Sequence, residues 1–140
     1  MIKRPQIVIF TDRAMGKSVP EALRKAGAKV EIHDDHFPPA TLDIEWLPEV
    51  SARGWVVLTK DKAISRNSLE LIAIANAKAR VFTLVSGQLN RQEMAAICIQ
   101  ALAQIEKFST GNRPPFVAKI YKSSQVKLWK NKNQLNKLIK

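Results

Sequence analysis

Trp55-Val56-Val57-Leu58-Thr59-Lys60-Asp61-Lys62 is the stretch on which the fold turns: four apolar residues run without alternation into a polar end that carries a carboxylate. A strand with one wet face alternates apolar and polar side chains, whereas a continuous apolar run fits a strand covered on both faces. Three other runs read the same way: Ile7-Val8-Ile9-Phe10, Val30-Glu31-Ile32 and Val81-Phe82-Thr83-Leu84-Val85. Each is rich in β-branched or aromatic residues and bounded by turn signals. Helical patterns lie between them. Ser18-Val19-Pro20-Glu21 predicts a capping box with an early proline, and Gly27 ends that helix. A second helix is predicted from Asp43 to Gly54, kinked or started late by Pro48. A third spans Ser68 to Ala77, with Leu69, Ile72 and Ala73 along one side. Asn90-Arg91-Gln92-Glu93 has capping-box spacing and opens the longest helix, ending near Lys107, whose core face is Met94, Ile97, Cys98, Ala101, Leu102 and Ile105. Strands alternating with helices predict an α/β fold: a single domain with a mainly parallel central sheet flanked by helices.

The remaining features bound what such a domain does. A chain of 140 residues, 46 % apolar, fits one domain with a real core. No run of about 18 apolar residues exists, so no membrane partner is expected. Residues 1–5 lead into the first strand without a leader pattern, and the single Cys98 has no internal disulfide partner; both predict a reducing cytoplasm. Ser109 to Pro115 reads as a linker, Phe116–Tyr121 and Val126–Trp129 as a hairpin around Ser123-Ser124, and Gln134–Lys140 as a frayed end. The expected division is therefore a domain over 1–120 and a basic C-terminal extension over 121–140. From Gly111 onward stand eight of the 23 basic residues and none of the 12 acids. A tail without acids points to a polyanion, RNA or DNA, before a membrane surface.

The carboxylates carry the chemistry. Ligands of an open parallel sheet gather beyond the carboxyl ends of its strands. Asp12 follows the first strand, Asp34 and Asp35 follow the second, and Asp61 follows the third; Asp43 and Glu45 open the helix before the third. Clustered carboxylates repel unless a cation holds them, and oxygen donors suit Mg²⁺ or Mn²⁺. Such an ion activates water and stabilises a phosphodiester in transit. Arg13, Lys17, Lys60 and Lys62 sit beside these acids and are candidate phosphate contacts; Lys119, Lys122, Lys127 and Lys130 extend the track, with Trp129 and Tyr121 as stacking faces or core residues of the hairpin. An Asp after a strand also serves as a turn residue or helix cap. His33 and His36 lack the further ligands of a zinc site and read as packed or hydrogen-bonded loop residues. Gly16-Lys17-Ser18 lacks the first glycine of a phosphate loop, and Cys98 reads as core.

Taken in order, Phe10-Thr11-Asp12-Arg13, Val19-Pro20-Glu21-Ala22-Leu23, His33-Asp34-Asp35-His36-Phe37-Pro38, Asp43-Ile44-Glu45-Trp46-Leu47 and Trp55 to Lys62 resemble PIN-like domains, particularly the branch of VapC-type toxin nucleases. The resemblance covers roughly residues 6 to 120. It implies a Mg²⁺- or Mn²⁺-dependent endoribonuclease, the toxin of a toxin–antitoxin pair, with an antitoxin protein as partner and a homodimer as assembly. It implies Asp12, Asp43 and Asp61 as the metal and catalytic residues, with Asp34, Asp35 and Glu45 as further members that hold a second ion or orient water. Two features differ from the family pattern. Glu21 stands near the usual first-helix ligand but fits a capping role, and Ser86-Gly87-Gln88 offers no acid after the fourth strand. Two other readings stay open: a non-catalytic nucleic-acid-binding or interaction module, and a phospho-accepting domain using Asp12 or Asp61.

Overall fold

Each of the four apolar runs forms a strand, and the first and third lie one residue later than the runs themselves. The structure, a computed structural model, describes residues 7–60, 68–85 and 88–139. Strands β1 (Val8–Thr11), β2 (Lys29–Ile32), β3 (Val56–Thr59) and β4 (Arg80–Leu84) are joined by helices α1 (Ser18–Lys25), α2 (Asp43–Ala52) and α3 (Ser68–Ala77). Helix α4 (Arg91–Gly111) leads to β5 (Phe116–Ile120), β6 (Val126–Lys130) and the short α5 (Lys132–Asn136). Thr11 and Thr59 extend β1 and β3 because both are buried and continue the pairing.

The sheet has the order β2-β1-β3-β4-β5-β6. Its first five strands are parallel and β6 is antiparallel to β5. Side chains alternate across it. Ile9, Leu58, Phe82 and Ala118 face Val19 and Leu23 of α1 and Met94, Ile97, Cys98, Ala101 and Ile105 of α4. Phe10, Val57, Val81 and Val117 face Trp46, Leu47 and Val50 of α2, Ile74 and Ala75 of α3, and Leu135 of α5. Helices cover both faces, as continuous apolar runs require. Among the described residues no helix is long and apolar enough to cross a membrane.

Several boundaries differ from the sequence expectation for local reasons. Ser18 is the first residue of α1 rather than its cap; Lys17 occupies the cap position without a side-chain bond. Pro20 falls in the first turn, where its missing N–H costs nothing. Helix α2 runs through Pro48 to Ala52. The capping box of α4 forms as expected, with Glu93 N donating to Asn90 Oδ1 at 2.8 Å and Asn90 N to Glu93 Oε1 at 3.1 Å. That helix continues to Gly111, through part of the expected linker. Phe108 anchors the extra turn in an edge-on triangle with Phe82 and Phe116, centroids 5.1–5.6 Å apart. Ser109 and Thr110 turn their hydroxyls back onto carbonyls of their own helix. The segment expected to fray forms α5 and a closing 3₁₀ turn over Lys137–Ile139, and Leu135 is fully buried.

Trp46 is the largest fully buried side chain and lies 4.9 Å from Phe10, ring centre to ring centre. Trp46→Ala is expected to cost about 3–5 kcal/mol. Urea unfolding measures it, and a loss below about 1 kcal/mol would contradict the packing described.

Candidate active site

The strand order reverses between β1 and β3: the chain passes from β1 outward to β2, then back across β1 to β3. A reversal of this kind opens a crevice at the carboxyl ends of the two strands. Asp12 stands at that end of β1 and Thr59 ends β3. The register Phe10↔Val57 and Thr11↔Leu58 carries Asp12 to the level of Thr59. Thr59 Oγ1 donates to Asp12 Oδ2 at 2.6 Å, with both residues buried. After Asp12 the chain turns sharply through Arg13–Met15 into Gly16, whose φ of +68° suits glycine.

The other acids fall into separate groups. Helices α2 and α3 each lead into the amino end of a parallel strand, so their own amino ends lie at the carboxyl edge of the sheet. Asp43 opens α2, Glu70 lies in the first turn of α3, and both line one depression of about 440 Å³. Glu70, half-buried, went unnoticed in the sequence; its only local signal is an acid in the first turn of the helix after β3. Glu45 is turned back as a cap, its Oε1 accepting from Leu42 N at 3.1 Å. Asp34 accepts from Arg13 Nε at 3.1 Å and lies 3.2 Å from His33 Nδ1, while Asp35 is exposed. His33 is buried among Phe10, Phe37 and Trp46, and His36 Nε2 meets Glu31 Oε2 at 3.1 Å. Asp61 and Lys62 lie outside the described residues. Among the described residues no three His, Cys, Asp or Glu side chains gather closely enough to hold a metal ion. Burial raises the Cys98 thiol to about 12, which leaves it protonated and inert at neutral pH.

The cations are better gathered than the acids. A cavity of about 860 Å³ is lined by Arg13, Lys17, Lys60 and Arg91, and among the described residues no Asp or Glu joins its wall. Arg13 and Lys60 adjoin Asp12 and Thr59 in the chain, so the cavity opens beside the buried carboxylate. Ser18 and Asn90, at the amino ends of α1 and α4, line it too, and helix amino ends favour anions. Arg91 was missed because one basic residue after a cap carries no distinguishing pattern. Lys119 and Lys127 pair across β5 and β6, and Thr59, Thr83 and Lys119 share one register row. At two strand spacings Lys119 lies about 10 Å from Thr59. Lys119 and Lys130 place Nζ 4.7 and 4.9 Å from the Trp129 ring centre, and Lys127 lies 5.8 Å from that of Tyr121. Trp129 packs on the core beneath, and Lys122 is exposed at the hairpin turn.

Comparison with known proteins bears on the family of the chain. A family model described as "PIN like domain" matches residues 7–86, which include Asp12, Asp43 and Thr59. The chain is 28 % identical over 125 residues to a protein of Mycobacterium tuberculosis (strain ATCC 25618 / H37Rv) named "Putative ribonuclease VapC45"; the match covers 86 % of this chain and 90 % of that protein. No solved structure matches significantly.

Thr59→Val removes the hydroxyl from a buried carboxylate and is expected to destabilise the fold by about 1–3 kcal/mol, with Thr59→Ser recovering most of the loss. Thermal unfolding of both variants checks this; a small loss in Thr59→Val beside a larger one in Thr59→Ser would mean that the methyl group, not the hydrogen bond, matters.

Proposed function

This chain belongs to the PIN-like domain family, and on that premise we propose that it is a divalent-metal-dependent endoribonuclease, the toxin of a toxin–antitoxin pair. The observation that carries the reading is a buried Asp12, held by Thr59 at the reversal of the sheet, beside a cavity lined by four cations. Carboxylate and hydroxyl oxygens are hard donors, which suits Mg²⁺ or Mn²⁺ better than a thiophilic ion. Asp12, Asp43 and Asp61 would hold the ion, and Glu70, in the depression that Asp43 lines, joins them as a candidate. When bound, the ion supplies an activated water and offsets charge on the phosphodiester.

The chain's own residues do the rest. Thr59 fixes the rotamer of Asp12, so the carboxylate needs little reordering to meet its ligand. Lys17, Lys60 and Arg91 receive backbone phosphates on the flank of the site, aided by the amino ends of α1 and α4. Lys119, Lys122 and Lys127 on the hairpin extend the track along the same edge of the sheet, whereas Lys130, opposite Val117, stands nearer the amino edge. Asp34 holds Arg13 in place, and Glu45 caps α2. The partners proposed are RNA and an antitoxin protein, with a second copy of the chain as the assembly.

Purified protein is expected to cleave labelled single-stranded RNA with Mg²⁺ or Mn²⁺ and to stop with EDTA. Asp12→Asn should lower the rate at least about 100-fold while RNA affinity stays within about twofold. Lys17→Gln with Arg91→Gln should instead weaken RNA binding and reduce its salt slope by about two. Cleavage that survives Asp12→Asn or EDTA would overturn the mechanism, and tight salt-sensitive binding without any cleavage would make the chain a binding module.

A further inference from the structure

A second basic cavity lies at the opposite edge of the sheet, where β1, β3 and β4 begin. It measures about 690 Å³, and among its lining residues are Arg53, Trp55, Arg80, Thr110, Asn112 and Arg113. Among the described residues no Asp or Glu lines it. Residues 1–6, which precede Ile7 on its wall, include no acid either. Three guanidinium groups thus border one hollow without a carboxylate among them.

The arginines are not consumed by the fold. Arg24, by contrast, donates twice to the Val30 carbonyl, and Arg13 is paired with Asp34. Arg80 and Arg113 make no side-chain hydrogen bond or ion pair among the described residues, and Arg80 is half-buried where it opens β4. Arg53 places Cζ 4.9 Å from the Trp55 ring centre, with Nη1 3.5 Å from His36 Nδ1. A cation–π contact holds a guanidinium in place and leaves N–H donors available. The carboxyl end of α4 reaches the same cavity, and arginines could be there merely to offset its carbonyls. The helix meets that need itself: Asn112 Nδ2 donates to Phe108 O at 2.9 Å, and Thr110 Oγ1 to Glu106 O and Lys107 O at 3.2 and 3.1 Å. Three guanidiniums on one concave wall favour an anion there, and planar guanidinium forks match the several oxygens of phosphate. The volume is that of a pocket for a nucleotide-sized ligand.

We propose that this cavity is a second phosphate-binding site, which takes the phosphates of a nucleotide, either free or within an RNA strand that passes round the sheet. It is distinct from the carboxylate end: a strand of four or five residues separates the two edges by roughly 15 Å.

The test uses the full chain in EDTA, with inorganic pyrophosphate and ADP titrated by calorimetry and a fluorescein-labelled 12-nucleotide RNA followed by anisotropy. Arg80→Gln/Arg113→Gln is expected to weaken binding of at least one probe tenfold or more. The exposed single change Arg113→Gln should weaken it less and guards against misfolding of the double variant. Arg80→Lys/Arg113→Lys should recover only part of the affinity, because lysine lacks the fork. Loss for pyrophosphate and ADP identifies a free nucleotide as the source; loss for RNA alone, with a salt slope lower by about two, identifies the strand. Changes within twofold for every probe overturn the proposal. So does an equal loss in Lys25→Gln/Lys29→Gln, which removes the same charge elsewhere, or selective binding of an oligo-glutamate peptide in place of the phosphates.

Discussion

Phe10 and Asp12 lie two residues apart on one face of the chain, and the packing of the first fixes the second. Phe10 is enclosed by Trp46 at 4.9 Å and by His33, Phe37 and Trp55 at 6.1–6.2 Å. Its neighbour Ile9 faces the opposite core, among residues of α1 and α4. A slip of one residue in β1 would put Ile9 or Thr11 under Trp46 and turn Asp12 to the other side of the sheet. The aromatic enclosure therefore sets the register that brings Asp12 opposite Thr59, and the 2.6 Å hydrogen bond is a consequence of that register. A core contact governs the site without touching it.

The parallel sheet then separates the chemistry into two ends. Its carboxyl edge holds Asp12, Asp43 and Glu70 with the cavity of Arg13, Lys17, Lys60 and Arg91 beside them. Its amino edge holds Arg53, Arg80 and Arg113 without an acid. The excess positive charge first visible as a tail is thus spread over three places: the two edges and the β5–β6 hairpin. A linear count of charge finds the tail because its basic residues share one segment that holds no acid. It misses the cavities because their cations come from segments tens of residues apart.

This divides what could be read from the sequence. Strands β1 to β4 were legible because burial on both faces leaves a continuous apolar run, and Asn90 to Glu93 because a cap is a local pattern. The end of α4 was not legible: Ser109-Thr110-Gly111 reads as a linker until Phe108 is seen closing the triangle with Phe82 and Phe116. Asp12 was legible as a candidate site residue because the fold rule places ligands at strand ends. Glu70 and Arg91 were not, since each looks like an ordinary first-turn residue of a helix. Asp34 was visible as an acid, but its engagement with Arg13, 21 positions away in the chain, belongs to tertiary structure.

That engagement bears on how the site keeps its charge. Arg13 follows Asp12 directly and is the nearest cation to it in sequence. Its guanidinium is instead drawn to Asp34 at 3.1 Å and to the Pro39 carbonyl at 3.3 Å. Both members of that pair are about half exposed, 54 % and 43 %, so the pair adds little to stability. Its effect is one of position: the guanidinium is turned toward the loop after β2, while a neutral hydroxyl from Thr59 orients Asp12. A hydroxyl orients the carboxylate without adding a charge, whereas an arginine in its place would add one. Arg13 still borders the basic cavity, where the same side chain can face a phosphate. One short turn after β1 thus serves two opposite electrostatic needs, a negative centre and a positive flank, by committing the intervening arginine to a third residue.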